Sequence, residues 1–144
     1  MGSAERRSGI RTKEWSMEYY FSKNVNLSFD DALVKVVEEL KKEGFGVLTE
    51  IDVQATLKKK LGVDFRKYKI LGACNPPFAY QALQAEEMIG LMLPCNVIVQ
   101  EKVGGEVSVA AIDPVASMEK TNNEKLKSVA TQIKDKLRKV ISAL

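Results

Sequence analysis

The stretch that decides the fold is Ile89-Gly-Leu-Met-Leu-Pro94-Cys95-Asn96-Val-Ile-Val-Gln-Glu-Lys-Val103-Gly104-Gly105-Glu106-Val-Ser-Val-Ala-Ala-Ile112. It is the most strand-like region of the chain and reads as three extended segments, Ile89–Pro94, Asn96–Val103 and Glu106–Ile112. Gly104-Gly105 lies between the last two. A glycine pair tolerates the positive φ angles of a tight turn, so these two segments form a hairpin and are antiparallel. Asp113-Pro114 stops the second of them, because proline cannot continue a strand ladder.

Working outward toward the N-terminus, the pattern alternates short strands with amphipathic helices. Met17–Asn26, MEYYFSKNVN, is aromatic and β-branched and suits a first strand. Ser28-Phe29-Asp30-Asp31 has the form of a capping box, and Phe29, Leu33, Val36, Val37 and Leu40 follow at helical spacing up to Gly44. Phe45–Ile51 reads as a second strand. Asp52 then caps a short helix that carries Val53, Leu57 and Leu61 and closes at Gly62. Tyr68–Ala73 is a third strand, and Pro76-Pro77 opens a helix running to about Met88. Toward the C-terminus, Leu126, Val129, Ala130, Ile133, Leu137, Val140 and Ile141 share one helical face, which suits a long helix covering a sheet. The predicted order is β-α-β-α-β-α-β-β-β-α. This predicts an α+β fold, helices on a mainly antiparallel sheet, in a single domain over residues 17–144.

The chain has 144 residues, is 45% apolar and 28% charged, and so has the composition of an ordinary globular domain. No window approaches the roughly 18 uninterrupted apolar residues of a transmembrane helix, and the start lacks a secretory apolar stretch, so a cytoplasmic protein with no membrane partner is expected. Residues 1–16 are rich in Gly, Ser and Arg without apolar periodicity. They read as a disordered leader, native or cloning-derived, with Met17 as the native start. This leader supplies +2 of the net charge of +3: Arg6, Arg7, Arg11 and Lys13 stand against Glu5 and Glu14. The body is nearly neutral. Its one basic cluster, Lys58, Lys59, Lys60, Arg66, Lys67 and Lys69, is modest and reads as a solvated face, which disfavours nucleic acid as a partner.

Histidine is absent, which excludes Ser-His-Asp and Cys-His catalysis, imidazole metal ligation and histidine proton shuttling. What chemistry remains rests on two Cys-Asn pairs beside prolines, Cys74-Asn75-Pro76-Pro77 and Pro94-Cys95-Asn96. Cys74 ends a predicted strand before a helix start, where outward amide groups favour a thiolate, so it is the better candidate nucleophile. Buried structural cysteines are the competing reading. The spacing is not Cys-x-x-Cys, a disulfide is disfavoured in a reducing compartment, and two thiolates alone do not make a zinc site. Copper(I) would suit two soft thiolates only if they meet in space. The residues imply no metal and name no cofactor. Glu50 and Asp52 alternate about Ile51 and share a strand face, as an acid/base pair needs, although strand-edge charge and a helix cap explain them without catalysis and are the favoured reading. Matching lengths for the 76–88 helix and a return strand Ile89–Pro94 are expected to bring the Cys74 and Cys95 sulfurs close, and Cα atoms within about 7 Å would keep a redox or shared-ligand role open.

Four separated motifs, Glu43-Gly44-Phe45-Gly46-Val47-Leu48-Thr49-Glu50-Ile51-Asp52, Leu71-Gly72-Ala73-Cys74-Asn75-Pro76, Leu93-Pro94-Cys95-Asn96-Val97 and Ala111-Ile112-Asp113-Pro114, occur in the order seen in domain of unknown function 302. The chain resembles that family from about Met17 to Leu144. The resemblance implies a curved antiparallel sheet backed by helices, similar to the TATA-binding-protein-like class, and members that pair as homodimers. It implies no activity. Carried over by motif, the family's features fall on Cys74-Asn75, Cys95-Asn96, Glu50 and Asp52.

Two functional expectations follow. The first is a non-enzymatic small-ligand binding or sensing module with its site at Cys74, Asn75, Pro76, Cys95, Asn96, Glu50 and Asp52. The alternative is a thiol-dependent redox or sulfur-transfer protein in which Cys74 attacks and Cys95 resolves.

Overall fold

The computed structural model describes residues 18–144; the expectations for the leader and for Met17 lie outside them. The elements are β1 (Tyr20–Val25), α1 (Phe29–Lys42), β2 (Gly46–Asp52), α2 (Val53–Leu61), β3 (Tyr68–Cys74), α3 (Pro76–Ala85), a 3-10 helix (Glu87–Met92), β4 (Cys95–Glu101), β5 (Val107–Ile112), α4 (Pro114–Met118), a 3-10 turn (Glu119–Thr121) and α5 (Glu124–Ser142). The strands form one open antiparallel sheet in the order β1-β5-β4-β3-β2. It is an α+β fold, with β4 in the middle of the sheet.

Local chemistry accounts for most element ends. Ser28 Oγ accepts from the Asp31 amide at 3.1 Å, and Asp52 Oδ1 accepts from the Ala55 amide at 2.9 Å, so α1 and α2 begin at capped positions. Gly104 and Gly105 take φ of 101° and 93°, closing the β4–β5 hairpin with Lys102 N–H donating to Glu106 at 2.7 Å.

One expected strand is absent. Ile89–Pro94 lies in the 3-10 helix Glu87–Met92 and the residues just after it. Both sides of β3 are already taken, by β2 and by β4, so the preceding residues have no place beside it as a return strand. The coil instead buries Ile89 and leaves Leu91 82% exposed. An apolar run of this length is ambiguous between strand and helix, and the missing partner decides it. The preceding helix correspondingly ends at Ala85, not near Met88. The fold also contains α4, where Asp113 accepts from the amides of Val115 at 2.9 Å and Ala116 at 3.4 Å, so Asp113-Pro114 both ends β5 and starts a helix.

One face of the sheet meets the helices. Leu71, Val97, Val99 and Val109 are almost wholly buried there, opposite Val36 and Leu40 of α1 and Leu126, Ile133 and Leu137 of α5. Each such side chain contributes about 1.5–3 kcal/mol on burial. The 3.6-residue stripe read in the sequence is therefore the inner face of α5. The alternate residues of each strand point to the other face of the sheet.

Candidate functional site

Antiparallel pairing gathers the site. Gly46 pairs with Cys74, and Ala73 pairs with both Val47 and Cys95, so the starts of β2 and β4 and the end of β3 share one end of the sheet. β2 bulges between Val47 and Thr49, which turns Leu48 out of the ladder and leaves it 67% exposed. A cleft of about 260 Å³ opens at this end. Phe45 and Leu48 form one wall and Ala79 and Leu83 of α3 another, with Ile133 of α5 behind; Gly90, Leu93 and Pro94 complete the rim. Ala73, Cys74, Asn75 and Cys95 line it from the strand ends. No ionisable side chain other than the two thiols lines it among the described residues.

The two cysteines are diagonal neighbours. Cys95 stands opposite Ala73, one residue from Cys74, and a cross-strand spacing of about 5 Å with a rise of about 3.4 Å puts the Cα atoms roughly 6 Å apart. The Cα atoms therefore lie within about 7 Å, brought there by strand pairing with no return strand involved, but the expected approach of the two sulfurs does not follow from it. Alternation along the ladder directs the two side chains to opposite faces, whereas a disulfide needs converging Cβ vectors. Both are free thiols. Burial, with a smaller contribution from neighbouring Cys74, pushes the Cys95 thiol up to about 11. It is therefore protonated at neutral pH. Cys74 is half-buried and precedes α3, but Pro76 and Pro77 carry no N–H, and of the first three helical residues only Phe78 offers one. The helix start that would stabilise a thiolate is short of donors.

The other expected site residues divide. Asn75 is buried, lines the cleft, and donates from Nδ2 to the Glu43 carbonyl at 3.0 Å, tying the α1–β2 turn to the β3–α3 turn. Gly44, with φ of 87°, leaves room for that amide: a Cβ there would stand 3.2 Å from Asn75 Nδ2. Pro76 is the first residue of α3 and Asn96 is exposed on the sheet face away from the helices; neither lines the cleft. Glu50 and Asp52 do share a strand face, but Glu50 is level with Leu71, three residues and about 10 Å from Cys74. Glu50 binds Lys69 at 2.8 Å and, chiefly through that hydrogen bond, holds the lysine above its usual range. Asp52 is spent as the α2 cap.

The basic cluster is similarly engaged in part. Lys58 pairs with Asp64 at 3.0 Å, and the Arg66 guanidinium lies 4.5 Å over Phe65 while donating to Gln100 at 2.9 Å.

The sequence reading missed the walls of the cleft. Leu48 carried no signal, because a bulge depends on the partner strand, and Ile133 was legible only as one member of a buried stripe. Ala79 and Leu83 fall within the helix that Pro76-Pro77 opens, but what they face is set by tertiary packing. Among the described residues no helix is long and apolar enough to cross a membrane, and no group of three or more Cys, Asp or Glu side chains could hold a metal ion.

With this fold and cleft in view, the chain matches, across residues 21–144, the family described as "Domain of unknown function DUF302". The chain belongs to the DUF302 family. An uncharacterized conserved DUF302 protein from Bacillus stearothermophilus, solved as a crystal structure, superposes with a TM-score of 0.81 at 29% identity, covering 86% of this chain and 96% of that one. No curated protein matches the chain. The DUF302 match includes both Cys-Asn motifs and every wall of the cleft.

Proposed function

We propose that this DUF302 protein is a non-enzymatic binding module that takes a small apolar ligand in the cleft beside the two Cys-Asn motifs, working in the cytoplasm as a homodimer. The observation that carries this reading is the cleft itself: a concave site of about 260 Å³ walled by Phe45, Leu48, Ala79, Leu83 and Ile133, without a charged wall. Ligand sites are concave, mostly apolar and marked by a few polar groups, and this volume lies near their lower bound, so the ligand is small. Asn75, Cys74 and Cys95 line the cleft from the strand ends as its polar and polarisable residues. The thiol-enzyme alternative has less support, because Cys95 is held protonated and α3 presents few amides to Cys74.

Amide chemical-shift mapping with indole, a small apolar probe, tests the proposal. Saturable shifts centred on Ala79, Gly90 and Ile133, lost in Ala79→Phe and accompanied by slower alkylation of Cys74, are the expected result. Shifts that are absent or scattered would refute it. Labelling of both cysteines at pH 7 faster than in an unfolded peptide would favour the thiol reading instead.

A further inference from the structure

The second face of the sheet carries a depression of about 420 Å³ that shares no residue with the cleft. Alternation along the ladders puts Ile98 and Gln100 of β4 and Ser108 and Ala110 of β5 on its floor. Tyr68 of β3 stands on one side, and Tyr19 and Tyr20, their rings edge to face at 5.2 Å, on the other. Ser108 is 5% exposed, and among the described residues its hydroxyl makes no hydrogen bond. Buried hydroxyls are nearly always paired, because an unpaired one has given up its hydration for nothing. The groups beside it are donors. Gln100 stands opposite Ser108 in the ladder, and its Oε1 accepts from Arg66 Nε at 2.9 Å, so what remains of that amide is N–H. Lys102, two residues on, lines the same end. Arg66 adds a second positive charge there, its guanidinium 5.4 Å from the centre of the Tyr68 ring.

We propose that this depression binds a small aromatic carboxylate, with the anionic group at Ser108, Gln100 and Lys102 and the ring over Ile98 and Ala110, flanked by the tyrosines. A carboxylate only accepts hydrogen bonds, which matches a hydroxyl, an amide N–H and an ammonium group gathered at one end. Ile98 pairs with Ala110 one row along, about 7 Å from the Gln100–Ser108 pair, within reach of a ring on a short spacer. Tyrosine rings beside an apolar floor favour an aromatic partner. An anion without a ring would leave Ile98 and Ala110 uncovered, and a neutral ring would leave the Ser108 hydroxyl unpaired. Charge sets the orientation. Among the described residues no acidic side chain lines the depression. Glu106, across the hairpin from Lys102, forms no ion pair with that side chain, and Glu18, which accepts from the Tyr20 hydroxyl at 3.1 Å, stands at the opposite end.

The volume lies within the range of small-molecule sites. The site goes beyond the cleft reading and does not rest on it.

Amide chemical-shift mapping of the full chain with 3-phenylpropionate tests it. The expected result is saturable shifts centred on Gln100, Ser108 and Ala110 that persist in Ala79→Phe, which fills the cleft. The neutral isostere 3-phenylpropionamide should bind at least about tenfold more weakly. Lys102→Glu, at an exposed position, and Ser108→Ala, which deletes an unpaired hydroxyl and so leaves the fold intact, should each weaken the carboxylate by at least about tenfold. The proposal is overturned by an absence of saturable shifts at these residues, by shifts centred on Ala79 and Ile133 instead, by equal affinity for the amide, or by unchanged affinity in either folded variant. Shifts of the same residues with protein concentration alone, which mean that a second copy covers the face, overturn it as well.

Discussion

Replacing Gly72 with alanine probes the contact that seats the Cys95 segment on β3. A Cβ added there would stand 2.8 Å from Pro94 Cγ and closer still to Thr49 Oγ1. Ordinary carbon contacts are about 3.5–4.0 Å, so the overlap with Pro94 is about 1 Å. Thr49 can turn about its χ1, but the Pro94 ring can yield only with its backbone, and that backbone leads directly into Cys95 and the cleft. Overpacking of this kind costs about 1–3 kcal/mol. Gly72 has no left-handed φ, so alanine also recovers about 0.4–1 kcal/mol by restricting the unfolded chain. The net loss is about 1–2 kcal/mol, which for a domain of this size lowers Tm by about 4–8 °C. Thermal unfolding followed by circular dichroism measures it, with Gly46→Ala as the control. Gly46 lies in the adjacent strand, and a Cβ there meets nothing within 4 Å. The control should stay within about 0.5 kcal/mol of the parent. A Tm for Gly72→Ala equal to or above that of Gly46→Ala would refute the packing argument.

Three further outcomes follow from single residues. Because burial raises the Cys95 thiol from 9.0 to about 11, the unfolded chain loses this proton first; its contribution of about 2–3 kcal/mol is intact below pH 9 and lost as pH rises toward 11. Urea titrations of the parent and Cys95→Ala across that window should differ in slope, and parallel curves would contradict the assignment. Asp113 caps α4 and binds Lys134 at 3.2 Å while buried, whereas Asp52 caps α2 in the open, so Asp113→Ala should cost about 1–2 kcal/mol and Asp52→Ala less; the reverse order in chemical denaturation would be inconsistent with these caps. Asn75→Asp replaces the donor to the Glu43 carbonyl with an acceptor, and a loss of about 1–3 kcal/mol is expected in the same assay, with an unchanged midpoint arguing that the amide bond is dispensable.

The features legible without coordinates are those whose causes lie within a few residues. Ser28 and Asp52 as caps, Gly44 and Gly62 as helix stops, the Gly104-Gly105 hairpin and the apolar stripe of α5 all follow from local backbone and side-chain chemistry, and the structure contains each. Of the candidate site, Cys74, Asn75 and Cys95 are legible because the chain has two cysteines and each stands in a Cys-Asn pair beside proline. What only tertiary structure decided depends on which strand pairs with which. With β2 and β4 on either side of β3, Ile89–Pro94 has no place beside it and its first residues coil in a 3-10 helix, and the β3–β4 ladder sets Cys95 one residue from Cys74. The β2 bulge turned Leu48 toward the cleft, and pairing with Lys69 took Glu50 away from it. Strand order also placed β4 at the centre of the sheet. Helix ends are settled by neighbours three or four residues away, whereas ladder partners are separated by tens of residues, and no local pattern records which of several competent strands will win.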